Sequence, residues 1–191
     1  MGLICSKRRE TLKAAHSPIA DDMHMSANSE WLRFMEVTQY ISPPQRLFRA
    51  SAPNYNDSQG EDSTQHLTQS AIASLHSHQI TRIISLNAVE YTPEEQQRLS
   101  TAGIAYLHLP VADFGALTLD QIKKAVTMWA KAPPAHVLVH CGFGHGRTGK
   151  LITAIQLWMT KGHLELESAM QANHVERDEQ REVLREYQRR L

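Results

Sequence analysis

The chain has 191 residues, 20 Lys plus Arg against 20 Asp plus Glu, and only two cysteines. That length suits one domain of ordinary size with its own core. A net charge of zero gives no global field to recruit nucleic acid, and two cysteines cannot build a disulfide framework.

Residues 1–30 are polar and without periodicity, and they read as a flexible tail ahead of a catalytic domain over 31–191. The tail opens Met1-Gly2-Leu3-Ile4-Cys5-Ser6, a pattern that fits N-myristoylation at Gly2 with Cys5 beside it for palmitate. Lys7, Arg8, Arg9 and Lys13 follow and add attraction to an anionic surface. Because one myristoyl chain anchors only weakly, the second acyl site and the basic cluster complete the signal. The expected address is the cytoplasmic face of a eukaryotic membrane when acylated, and the cytoplasm otherwise. A microbial protein delivered into a host cell fits the same tail.

From Trp31 apolar residues become dense, until Pro43-Pro44 breaks the run. Arg46–Ala50 reads as a short strand, and 54–66 as a polar loop. Thr68 is placed to cap a helix running to about His78, with Leu67 and Ile72 as a hydrophobic staple. Ile80–Leu86 reads as a buried strand. Thr92-Pro93-Glu94-Glu95 supplies a cap, a proline at the first helical position and a capping-box glutamate, and Gly103 the stop. Residues 104–109 form the next strand, and Thr118 opens another helix with Ile122, Ala125, Val126 and Trp129 on one face. His136–His140 is a strand, Leu151, Ile152, Ile155, Trp158 and Met159 mark a helix, and two helical segments near 164–173 and 178–190 close the chain. Strands alternating with helices predict an α/β domain with a central, mostly parallel sheet flanked by helices. The eleven histidines are scattered. His76 and His78 read as a solvated pair rather than metal ligands, and no metal or cofactor is expected.

The informative run is His140-Cys141-Gly142-Phe143-Gly144-His145-Gly146-Arg147-Thr148-Gly149, between a strand and a helix. A glycine-rich turn at a helix N-terminus gathers backbone N–H groups into an anion site. Cys141 at its start faces those groups, which favours its thiolate. Arg147 offers a planar fork for two phosphate oxygens. Nucleophile, cradle and bidentate cation in one loop read as covalent phosphoryl transfer. Two weaker patterns share the glycines. Gly144-x-Gly146-x-x-Gly149 matches a dinucleotide fingerprint but sits late in the chain, and neither pattern explains Cys141. Gly144-x4-Gly149-Lys150 fails as a nucleotide loop because Leu151 stands where a Ser or Thr must reach Mg²⁺.

The run resembles the Cys-x5-Arg-Ser/Thr loop of cysteine-dependent protein tyrosine phosphatases. Gly144 with Gly146-Arg147-Thr148-Gly149 is most similar to small atypical dual-specificity phosphatases. Arg49-Ala50-Ser51-Ala52-Pro53 resembles their Arg-Ser-x-x-Pro strand end. The resemblance implies a Cys141 nucleophile, with residues 142–147 (Gly142, Phe143, Gly144, His145, Gly146 and Arg147) binding phosphate. It implies Asp113, in Leu107–Phe114, as the general acid, although Leu117 stands where relatives often carry proline. Thr148 would assist the sulfur as it leaves, and His140 would orient the loop. Gln180, in Val175–Gln180, would place the hydrolytic water. The implied reaction is hydrolysis of phosphotyrosine, and of phosphoserine or phosphothreonine, on protein substrates through a phospho-cysteine. A phosphoinositide or inositol-phosphate phosphatase is the alternative enzyme, and a lipid-anchored module that binds phosphoproteins without turnover is the alternative outside enzymes.

Overall fold

The structure is a computed structural model and describes residues 30–175 and 177–191. Gly2, Cys5 and the basic cluster lie outside the described residues.

Five strands form one sheet in the order β1-β2-β5-β3-β4. They are β1 (Met35–Val37), β2 (Arg46–Ala50), β3 (Ile80–Ser85), β4 (Ala105–His108) and β5 (His136–His140). Only β1 runs antiparallel, on β2 at the edge; the other pairings are parallel. The helices are α1 (Gln69–Ser77), α2 (Pro93–Thr101), α3 (Leu119–Ala130), α4 (Gly146–Met159), α5 (Leu166–Ala172) and α6 (Asp178–Gln188). The mostly parallel sheet expected from the alternation of elements is therefore present, and several predicted boundaries move by one or two residues.

Alternation along the strands divides the core in two. Val137 and Val139 of β5, with Leu47 and Ile84, pack under α3 to α6. Leu138, with Phe48 and Ile83, packs under α1 and α2. A parallel sheet covered on both faces must be apolar on both, which is why β5 reads as a continuous apolar run. Because four strands are parallel, their carboxyl ends share one edge. The loops after β2, β3, β4 and β5 meet there, at the usual ligand edge of such sheets.

Local signals set the helix starts. Thr118 Oγ1 accepts from Gln121 N and Thr92 Oγ1 from Glu95 N, each inside a full capping box. Glu95 does more than cap. Buried at 4% exposure, its carboxylate accepts from Leu67 N at 2.6 Å and Thr92 N at 2.9 Å, fastening the start of α1 to α2. His78 departs from the solvated pair read in the sequence. His76 is exposed, but the His78 ring packs 4.5 Å from Phe34 and 6.1 Å from Phe48, and Nδ1 lies 3.0 Å from Ser74 O.

Thr118→Ala is expected to cost about 1 kcal/mol, the usual value of a lost cap. Glu95→Ala is expected to cost more, about 2–3 kcal/mol, because it strands a buried backbone donor as well as the cap. Urea unfolding of both variants checks the order.

Candidate active site

The loop from Cys141 to Arg147 leaves the end of β5, and its shape follows from where its carbonyls go. Gly142 O accepts from Ala52 N at 2.8 Å, Phe143 O from Arg33 Nε at 2.6 Å, and Gly144 O from Arg49 Nη2 at 2.7 Å. Across a planar trans peptide the next N–H points opposite to the carbonyl. With the three carbonyls held from outside, the amides of 143, 144 and 145 turn inward. Gly144 N shows this directly, donating to Cys141 Sγ at 3.2 Å. Gly144 has φ +98°, and a Cβ there would lie 2.7 Å from the Ala50 carbonyl. Only glycine takes that conformation and lets the loop sit this close to β2. α4 begins at Gly146, so its unpaired N–H groups and dipole add to the same cradle.

The braces come from well-held groups. Arg49 is buried on β2, and burial pulls its guanidinium down to about 10, still a cation at neutral pH. Arg33 stacks 3.8 Å over the Phe143 ring and pairs with both oxygens of Asp57. His140, fully buried, lies below the nucleophile. Its Nδ1 is 3.3 Å from Cys141 O and its Nε2 is 2.9 Å from Tyr91 OH. A carbonyl only accepts, so Nδ1 carries the proton, Nε2 accepts and Tyr91 donates. Burial pushes His140 down to about 4, leaving it neutral and able to orient without adding charge.

Arg147 is buried and held on several sides. Nη1 donates to Asp62 Oδ2 at 2.5 Å and to Val111 O at 3.0 Å, and Nη2 donates to Asp62 Oδ1 at 2.8 Å. Asp113 Oδ1 lies 3.0 Å from Nη2. Burial works against the Arg147 charge, but the Asp62 hydrogen bonds and nearby negative charges outweigh it and raise the guanidinium above its ordinary value.

Asp113 sits on the loop after β4, its side chain 58% exposed. Oδ1 takes Arg147 and the Phe114 amide, while Oδ2 has no hydrogen-bond partner among the described residues. Two buried groups fasten this loop from below. Lys150 Nζ donates to Gly115 O at 2.9 Å, and Gln180 Nε2 lies 3.1 Å from both Phe114 O and Gly115 O. Burial, with Arg147 nearby, pushes Lys150 down to about 7. Gln180 thus lies at the cleft, with its amide on the loop that carries Asp113. Thr148 is buried, and its hydroxyl makes no hydrogen bond among the described residues.

These loops enclose a cleft of about 350 Å³ lined by Cys141, Arg147, Asp113 and Gln180, with Tyr55, Phe114 and Phe143 as aromatic walls. Phe114 and Phe143 are exposed. His145 lies edge-on to Phe143 and stacks 4.4 Å from His174; burial, with His174 and two arginines, pushes it down to about 4. Among the described residues no group of three or more His, Cys, Asp or Glu is placed to hold a metal ion.

Sequence reasoning brought together Cys141, Arg147, Asp113, Thr148, His140 and Gln180, which the fold indeed gathers at one edge. It did not single out Asp62, Lys150, Arg33 or Tyr91. The polar loop at 54–66 gave no local sign that one of its carboxylates reaches a loop 85 positions away.

A family model described as "Polymorphic toxin system, DSP-PTPase phosphatase" matches residues 59–161, more than half of the chain. No curated protein matches it. Among solved structures, kinase associated phosphatase, with a serine in place of its catalytic cysteine, is similar at 17% identity and a TM-score of 0.66. The match covers 84% of this chain and 96% of that one. The core catalytic domain of the S. cerevisiae PP-IP phosphatase SIW14, in complex with citrate, is 19% identical with a TM-score of 0.59, over 82% of this chain and 85% of its own. PTPMT1 in complex with PI(5)P is 20% identical with a TM-score of 0.56, over 75% of this chain and 90% of its own. At these identities the likeness is one of fold. The family match spans Asp113, Cys141 and Arg147 together, and the chain belongs to the DSP-PTPase phosphatases of polymorphic toxin systems, within the cysteine-dependent protein tyrosine phosphatase superfamily.

Proposed function

We propose that this phosphatase hydrolyses phosphotyrosine on proteins, and phosphoserine or phosphothreonine as well, through a phosphate ester on Cys141. The observation that carries the substrate class is the wall of the cleft. Tyr55, Phe114 and Phe143 flank the nucleophile, as suits an aryl phosphate. Arg147 is the only arginine or lysine among the described residues lining it.

In the proposed reaction the Cys141 sulfur attacks phosphorus in line with the leaving oxygen. The inward amides and Arg147 hold the equatorial oxygens as charge builds on them. The P–O bond to the substrate breaks as Asp113 gives its proton to the departing oxygen. Oδ2 of Asp113 is the atom for that step, since Oδ1 is engaged. Water then attacks the phospho-cysteine, Asp113 takes its proton, the P–S bond breaks, and the sulfur leaves as a thiolate to which, in this reading, the Thr148 hydroxyl donates. Gln180 lines the cleft beside Asp113 and, in this reading, helps place that water while securing the loop. His140 stays neutral and fixes the backbone of the nucleophile.

A second reading is an inositol-phosphate or phosphoinositide phosphatase, favoured by the fold shared with SIW14 and PTPMT1. It needs further cations for further phosphates. Of the nearby ones, Arg33 is committed to Asp57 and Phe143 O, Lys150 to Gly115 O, and Arg177 lies over the Phe114 ring. A panel of phosphopeptides against soluble phosphoinositides separates the readings. Faster turnover of phosphotyrosine peptides is expected, and strong preference for an inositol phosphate contradicts the first.

The acyl signal at Gly2 and Cys5 carries a proposed membrane address, which would place the site beside membrane-bound phosphoproteins. Gly2→Ala is expected to move the protein from membrane to cytosol in a eukaryotic cell, because the chain attaches to that glycine's amine. Unchanged fractionation would remove the anchor from the account.

Asp113→Ala is expected to cut kcat on phosphotyrosine peptides by about 10²–10⁴-fold. The loss should shrink for p-nitrophenyl phosphate, whose leaving group needs little protonation. EDTA should leave wild-type turnover unchanged. Full activity of Asp113→Ala on peptides would show that another group is the acid.

A further inference from the structure

We infer that Asp62 is a positioning residue for Arg147, fixing one edge of the guanidinium so that the other edge is the fork that grips phosphate. The inference rests on Arg147 being the phosphate ligand of the proposed reaction. A guanidinium offers a terminal edge, Nη1 with Nη2, and a side edge, Nε with Nη2. Asp62 takes the whole terminal edge with both oxygens. Nε donates to no described residue, and Nη2 faces Asp113 Oδ1 at 3.0 Å on the same edge; phosphate gripped by the side edge takes the place that Asp113 Oδ1 holds beside Nη2.

Asp62 is itself held in place. Its Oδ2 accepts from Ala88 N at 2.8 Å, and its backbone carbonyl accepts from Asn87 Nδ2 at 3.0 Å. Asn87 is fully buried at the end of β3 and also donates to Gln65 Oε1 at 2.7 Å. The segment just after β3 thus fixes the carboxylate, and the carboxylate fixes the arginine. Gly142 accommodates the contact. A Cβ at this position would lie 2.1 Å from Asp62 Oδ1. The first residue after the nucleophile is therefore a glycine where the Asp62 carboxylate passes over the loop.

Stability does not explain the pair. Removing two charges from water offsets most of their attraction, so a buried ion pair contributes little net stability. The side chains of Asp62 and Arg147 are only 12% and 4% exposed. Geometry is what the pair supplies, and a misplacement of about 1 Å at such a group can cost roughly 10²-fold in rate. Nor does Asp62 duplicate Asp113. Both of its oxygens are engaged as acceptors, whereas Asp113 keeps Oδ2 open.

The test is Asp62→Asn, which keeps an acceptor for Ala88 N–H but cannot pair with both terminal nitrogens as a carboxylate does. Inorganic phosphate affinity, by calorimetry or competitive inhibition, is expected to weaken about 10-fold or more. Values of kcat/KM should fall about 10- to 100-fold, equally for p-nitrophenyl phosphate and phosphotyrosine peptide, since leaving-group protonation is untouched. In an Arg147→Lys background the same substitution should do little, because an ammonium has no fork to align. Gly142→Ala, which displaces the carboxylate without removing it, should reproduce the loss of phosphate affinity. Unchanged or tighter phosphate binding in both Asp62→Asn and Gly142→Ala would overturn the inference, as would a full additional loss in the lysine background. Arg147→Lys alone separates this from its premise: if that variant binds phosphate normally, the reading of Arg147 fails as well.

Discussion

Everything at this site depends on the outward-facing carbonyls of Gly142, Phe143 and Gly144. A short loop cannot present amides to one point unless its carbonyls are satisfied elsewhere, because buried backbone oxygens need partners. The fold provides three from outside: a backbone amide of the β2 exit and two arginines from the N-terminal third. The cradle is therefore formed in the protein itself, and substrate need not organise it. Preorganised dipoles of this kind cost no reorientation when charge develops in the transition state.

Charge is arranged around the same point with economy. In the proposed reaction Arg147 holds the phosphate, and its terminal edge is occupied by Asp62. Arg49 lies behind the loop as a buried cation, where Cys141 supports its charge against the cost of burial. Lys150 and Gln180 reach from α4 and α6 to the carbonyls of the acid loop, so the helix that follows the nucleophile also steadies Asp113. Leu117, just before the Thr118 cap, is buried in the core.

How much of this was legible in the sequence follows from distance along the chain. Capping boxes at Thr92 and Thr118 depend on neighbours three residues away, and the structure has both. The strand-to-helix turn at 141–149 was legible because glycine, cysteine and arginine occur within ten positions. Asp113 was singled out because Leu107–Phe114 resembles the loop that carries the acid in the family, after an apolar strand. Asp62 could not be, since nothing near it distinguishes it from Glu61 or Asp57; only the parallel sheet, which sets the ends of β2, β3 and β5 side by side, brings it to Arg147. Arg49 was visible as part of a strand-end motif, but its bond to Gly144 O depends on the register of β2 with β5. His78 was misread for the same reason, because its aromatic partners come from residues 34 and 48.

The central claim is that this cradle exists to carry a phosphate on sulfur. Rapid alkaline denaturing quench of the wild-type protein with a ³²P-labelled phosphotyrosine peptide, followed by mass spectrometry of the labelled fragment, tests it most directly. The account predicts an alkali-stable, acid-labile phosphate on Cys141 that forms and decays within the time of one turnover and is absent from Cys141→Ser. Turnover of the peptide with no labelled protein, or with the label on another residue, would contradict it.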